Sequence, residues 1–168
     1  MRYHNYHKHD YYGNFVSIDT ITSMEDYFKR AKELGHDTFF TVNHGFQGNM
    51  FEAKTLAEKY EMKVVMGAEG YYVPDNKEKD KSNRHIIIIA LNDNGARQLN
   101  EIMSEAFING FYYKPRIDEK LLFSLNPNNF VITTACVAGI WSDENLVLRL
   151  KEHFKDNFFL EVQNHNQE

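Results

Sequence analysis

Six strand-like runs, at residues 3–7, 38–42, 63–66, 86–91, 130–133 and 158–162, are spaced along the chain with stretches of helical periodicity between them. No other feature constrains the fold as much. SMEDYFKRAKELG offers Ser23 as an N-cap, an acidic first turn and Gly35 as a stop. MFEAKTLAEKYE, GARQLNEIMSEAFING and ENLVLRLKEHF read as further helices, with another starting at Asp118. A repeated βα pattern predicts α/β architecture, with parallel strands covered by helices in an open sheet or a barrel. PDNKEKDKSN, residues 74–83, reads as a solvated loop. At 168 residues, one domain over 1–168 is expected. Six strands are fewer than a closed barrel wants and the last run ends close to Glu168, so the chain is expected to be cut short.

Composition narrows the class. Hydrophobic residues at 42% and charged residues at 26% match ordinary globular usage, so the chain should fold. The longest apolar run, IIIIAL, is far short of a membrane span, and no charged-then-apolar leader is present, which predicts a cytoplasmic protein with no membrane partner. Cys136 is the sole cysteine, so a reducing compartment suits the chain. A net charge of -5 argues against gripping nucleic acid by charge alone.

The chain begins with YHNYHKHD. An expression tag would be a run of histidines, whereas here His7 and His9 alternate with other residues and in an extended segment would face one side, a spacing that suits a shared metal ion. In parallel βα folds, chemistry gathers where strands run out at their C-terminal ends. His7 and His9 end the first run, Asn43 and His44 the second, Glu69 follows the third and Cys136 the fifth. Imidazole, carboxylate and thiolate together suit zinc, manganese or iron. Each residue also has a bland reading: Glu69 as a solvated loop acid, Cys136 as a small buried hydrophobe, His44 as a turn residue before Gly45. His36 and His153 fall at helix ends and read as structural or solvated, and His165 is a weak candidate. His85, at the start of a strand, lies at the wrong end for the rim.

Several motifs resemble the polymerase and histidinol phosphatase (PHP) domain, in the version found at the N-terminus of bacterial DNA polymerase III alpha subunits. HKHDYYGNFVSIDT resembles its first motif, TVNHGFQGNMFEA its second, GAEGYY its Gly-x-Glu-x-Tyr element, and RHIIIIALNDNGARQLNEIMSEAF the stretch led by a histidine. GFYYKPRID and ITTACVAG are similar to the polymerase branch, and the resemblance covers essentially the whole chain. It implies a distorted (βα)7 TIM-like barrel, incomplete here at its C-terminus, holding up to three divalent metal ions. It implies His7, His9, Asp19, His44, Glu69, His85 and Cys136 as the metal ligands or their close equivalents. It further implies phosphoester hydrolysis and, in polymerases, a 3'-5' exonuclease acting on a DNA 3' end during replication.

Two departures stand out. Asn43 occupies a position where the family usually has aspartate, removing a charge that could orient His44 or balance the metals. The family's last Asp-x-His motif is absent before Glu168, so fewer ions are expected. The implied chemistry is metal-assisted hydrolysis needing no side-chain nucleophile. Arg116 and Lys114 are candidates to hold a phosphate, although Arg116 could equally fix the loop before the helix at Asp118. The alternatives are a catalytically silent scaffold packed on the remaining domains of a polymerase, and a free-standing phosphatase for small monoesters. A phage source fits the distance from a bacterial consensus. Nothing resembles the Asp-x-Asp palm motif, so no polymerase activity is expected of this chain alone.

Overall fold

A computed structural model describes residues 3–164. Five helices and six strands follow the chain as α1 (Met24–Glu33), β1 (Thr38–Thr41), α2 (Met50–Tyr60), β2 (Lys63–Val73), β3 (Arg84–Ala90), α3 (Asp93–Ile108), β4 (Arg116–Asp118), α4 (Glu119–Phe123), β5 (Phe130–Thr133), α5 (Glu144–Phe154) and β6 (Phe158–Phe159). Each helix begins at a side-chain cap. Ser23, Asn49, Asn92, Asp118 and Asp143 accept from the first-turn amides, satisfying donors that the helix cannot.

The strands form one mixed sheet in the order β1-β2-β3-β5-β6, with β4 paired to β2 beyond the reach of β1. The all-parallel expectation fails at β3, which runs antiparallel to both β2 and β5. The reason is the solvated segment 74–83. A parallel crossover needs a dozen or more residues and commonly a helix, and this connection has neither, so β2 and β3 can only fold back as a hairpin. The pairing also lengthens the third predicted strand. β2 continues through GAEGYYV because Gly67 to Tyr72 are laddered to β3, so Glu69 lies inside a strand and not in a loop after it.

Two further expectations are corrected. Residues 3–7 form no strand; the arm takes its polar contacts through side chains, with Lys8 Nζ donating to the Phe40 carbonyl and His9 Nδ1 meeting the Val42 carbonyl. The last strand is confined to Phe158–Phe159. Among the described residues the architecture is mixed α/β with β1 and β6 at the two ends of the sheet, and a full (βα)7 barrel is not formed.

The sheet is apolar on both faces. In β3, Ile86 and Ile88 pack with Leu99, Ile102, Leu146 and Leu150 beneath the helices, while Ile87 and Ile89 face Val42 and Ala135 on the other side. Alternation along a strand sends successive side chains to opposite faces, which explains why all four isoleucines are buried. A separate cluster seats α1 and α2 on β1, where Phe28 stacks on Phe39 at 3.8 Å between ring centroids. No helix among the described residues is long and apolar enough to cross a membrane.

Arg116 shows how the hairpin loop is held. Its buried guanidinium donates to the carbonyls of Asn76, Glu78 and Asp80 in the loop and, through Nε, to Gly110. These contacts support the reading of Arg116 as a loop clamp, with four of the five guanidinium N–H donors engaged. Replacing Arg116 by Met should lower the stability to urea by about 2–4 kcal/mol, because a buried charged hydrogen-bond network loses its donor.

Candidate metal centre

Glu69 is a carboxylate with no exposed surface. It sits in mid-β2, paired with Ile87 on one side and bridged to His44 on the other. Burying such a charge is costly unless polar or opposite charges meet it. Four imidazoles do. Glu69 Oε2 lies 2.9 Å from His44 Nδ1, 3.1 Å from His9 Nε2 and 3.4 Å from His7 Nε2, and Oε1 lies 2.9 Å from His85 Nδ1. Cys136 Sγ stands 3.4 Å from that His85 nitrogen and 3.9 Å from Oε1.

Local structure explains the convergence. His44 lies in a tight turn in which Gly45 takes φ 57° and donates its N–H to the Glu69 carbonyl at 2.7 Å. A side chain at Gly45 would meet Pro115 and Tyr71 within 2.9 Å, so only glycine fits. His85 is the second residue of β3, and because β3 is antiparallel it lies beside Tyr71, at the same rim where β1 runs out. The apparent misplacement of His85 in the sequence thus came from assuming a parallel strand. β5 runs towards that rim and ends just before Cys136, whose loop is tied back by Gly139 N–H to the Cys136 carbonyl at 2.8 Å and by His85 N–H to the Ala138 carbonyl at 3.0 Å. His7 and His9 come from the N-terminal arm, with ring centroids 5.3 Å apart.

Asp19 joins from an exposed loop, its Oδ2 3.2 Å from His44 Nε2. Asn14 fixes that loop by accepting the Asp19 N–H and donating to the Thr20 carbonyl. Three overlapping sets, His7–His9–Glu69, His9–Asp19–His44 and His44–Glu69–His85, each place donor atoms within 4.8 Å of one another. Asn43 turns elsewhere. Its Oδ1 accepts the Asp10 N–H at 2.9 Å and its Nδ2 donates to Asp10 Oδ1 at 3.0 Å, so it locks the arm to the end of β1. Lys114 stands beside the cluster, 5.2 Å from the ring centroid of Tyr71, which in turn stacks on His44; its Nζ donates to the Val16 carbonyl. His36 packs against His4 and Tyr3, and His153 meets the Leu125 carbonyl; neither belongs to a ligand set. His165 lies outside the described residues.

A family model, the PHP domain, matches residues 5–165. The chain belongs to the PHP domain family. Among curated relatives it is 30% identical to the DNA polymerase III subunit alpha of Treponema pallidum, over 92% of this chain and 14% of that protein. The corresponding figures are 30%, 90% and 15% for the subunit of Aquifex aeolicus, and 31%, 92% and 14% for that of Chlamydia pneumoniae. The chain thus spans only a small part of the length of these relatives.

The donors of this PHP domain fit a divalent cation. Glu69 Oε2 and His44 Nδ1 are both buried without a hydrogen-bond partner although only 2.9 Å apart. A cation held among the carboxylate, imidazole and thiol donors would satisfy both, and the mixed donor set suits a transition metal. Electrostatics prepare the site. Burial works against the charged forms of His7 and His85, but Glu161 and Glu69 outweigh it for His7, raising it to about 10, and Cys136 and Glu69 do so for His85, raising it to about 9. Burial likewise opposes the Glu69 charge, and the four imidazoles outweigh it to hold the carboxyl well below its usual range. The His85 ring lowers the Cys136 thiol.

Glu161 is the residue that sequence reasoning missed. Its Oε1 lies 2.6 Å from His7 Nδ1. The available signal was an acid set within the apolar run FFLEV, two residues before Gln163.

With His7 raised to about 10 and His85 to about 9, a cation taken up at both should displace about two protons at pH 8. Calorimetric titration with Zn2+ in buffers of different ionisation enthalpy should detect them. The apparent affinity should rise by roughly 100-fold from pH 7 to pH 8, since both groups lie above that window and stay protonated across it.

Proposed function

We propose that this PHP domain, taken as one unit over 1–168, is a metal-dependent phosphoesterase that removes nucleotides from a DNA 3' end, working with the remaining domains of a DNA polymerase III alpha subunit. The observation that carries the reading is the buried Glu69 oxygen, unpartnered among three imidazoles, with Lys114 over the Tyr71 ring that stacks on His44. The polymerase relatives supply the substrate class.

In this reading His7, His9, Asp19, His44, Glu69, His85 and Cys136 hold zinc, manganese or iron. Bound ions would lower the pKa of a water towards neutrality and polarise a phosphoryl oxygen. Glu69 offers an oxygen to each side of the cluster, Oε2 towards His7, His9 and His44 and Oε1 towards His85 and Cys136. Asp19 adds a second carboxylate at His44, and Cys136 joins as thiolate. Lys114 brings an ammonium to the phosphate from beside Tyr71.

A silent scaffold is the second reading, favoured by the engagement of Arg116 in the hairpin loop, which leaves the rim short of phosphate-binding cations. Metal content of untagged protein, and cleavage of a 5'-labelled single strand beside a simple phosphate monoester, separate the two. The expected result is at least about one ion per chain, lost in a His7→Ala/His9→Ala double variant, with DNA cleavage falling by about 100-fold or more in Glu69→Gln. Metal-free protein that stays inactive after reconstitution would transfer the reading to the scaffold. Preference for the monoester over DNA would make it a free-standing phosphatase.

A further inference from the structure

The two glutamates at this rim differ in one respect. Glu69 Oε2 has no hydrogen-bond partner, whereas both oxygens of Glu161 are filled. Glu161 Oε1 faces His7 Nδ1 and accepts from Gln163 Nε2, each at 2.6 Å. Its Oε2 accepts the Tyr6 hydroxyl at 2.7 Å and the Thr133 hydroxyl at 2.8 Å. The backbone is fixed as well, Glu161 N–H donating to Thr134 Oγ1 at 3.0 Å. A carboxylate has about four lone-pair sites, so this one has none left for an ion. Its side chain is only 6% exposed, which makes the arrangement an interior one and not a surface coincidence.

The geometry points to Glu161 as a positioning residue for the cation site: by occupying His7 Nδ1 it holds His7 as the Nδ1–H tautomer, with Nε2 turned to Glu69. The inference rests on the metal reading of the cluster. His9 provides an internal comparison, since its Nδ1 meets a carbonyl, that of Val42, while its Nε2 also faces Glu69 at 3.1 Å. The two histidines of the arm are therefore oriented by the same device, a neutral acceptor for one and an anionic acceptor for the other. An anionic acceptor makes the far nitrogen a stronger donor to a metal. Through Tyr6 and Thr133 the same carboxylate also ties the arm to the end of β5.

The test uses the 168-residue chain with Zn2+, measuring affinity by chelator competition and the His7 tautomer by 15N NMR of the zinc-loaded protein. Glu161→Ala should weaken zinc binding by about 10- to 100-fold and lose the single Nδ1–H form. Glu161→Gln keeps an acceptor for Nδ1–H and should retain the tautomer with a smaller loss of affinity. It also carries the test if the alanine variant does not fold. Thr133→Val, which removes one donor without touching His7, should stay within about threefold of the parent. Unchanged affinity and an unchanged tautomer in both Glu161 variants would overturn the inference while leaving the metal reading intact. A parent chain that takes up no zinc would overturn both.

Discussion

A carboxylate buried in the middle of a strand has to be answered by other groups, and in this protein four chain segments converge to answer Glu69. The arm brings His7 and His9, the turn after β1 brings His44, the start of β3 brings His85 and the loop after β5 brings Cys136. Truncating one partner of such a buried set leaves charge unpaired and costs several kcal/mol. The rim is therefore a structural requirement as well as a chemical opportunity. The mixed direction of the sheet serves this requirement, since only an antiparallel β3 delivers its N-terminal end, with His85, to the place where β1 and β5 end.

The helices were legible in the sequence because their caps and apolar periodicity are local properties. Ser23, Asp118 and Gly35 stand where such signals are expected to stand. The residue types of the rim were visible too, since histidines and acids at run ends can be seen in one dimension. Strand direction was not, because it depends on what the connection can span. The ten residues of 74–83 looked like a loop and were one, but their shortness also decided that β2 and β3 pair antiparallel. The arm was misread for a related reason: alternating residues suggest a strand, yet a strand exists only where a neighbour offers a ladder.

Glu161 and Arg116 show the limit from the other side. Both are charged residues whose roles are set by partners far away in sequence, Glu161 by His7 and Arg116 by the carbonyls of 74–83. Composition assigns such residues to solvent or substrate, whereas the fold engages them inside. Asn43 is a third case. Read against a family pattern it is a lost charge, but in place it is the amide that completes a two-point bond with Asp10 and anchors the arm.

The contact between His7 and Glu161 joins residues 154 positions apart. Closing so long a segment carries a large entropic cost, repaid only once the intervening sheet is in place. The arm has no ladder to nucleate it, so its two histidines should be the last side chains to reach Glu69 during folding. Until they arrive, the carboxylate is held by His44 and His85, both near it in sequence. The completed rim is thus a late event, and an ion that recognises all of its donors would recognise only a chain that has finished folding.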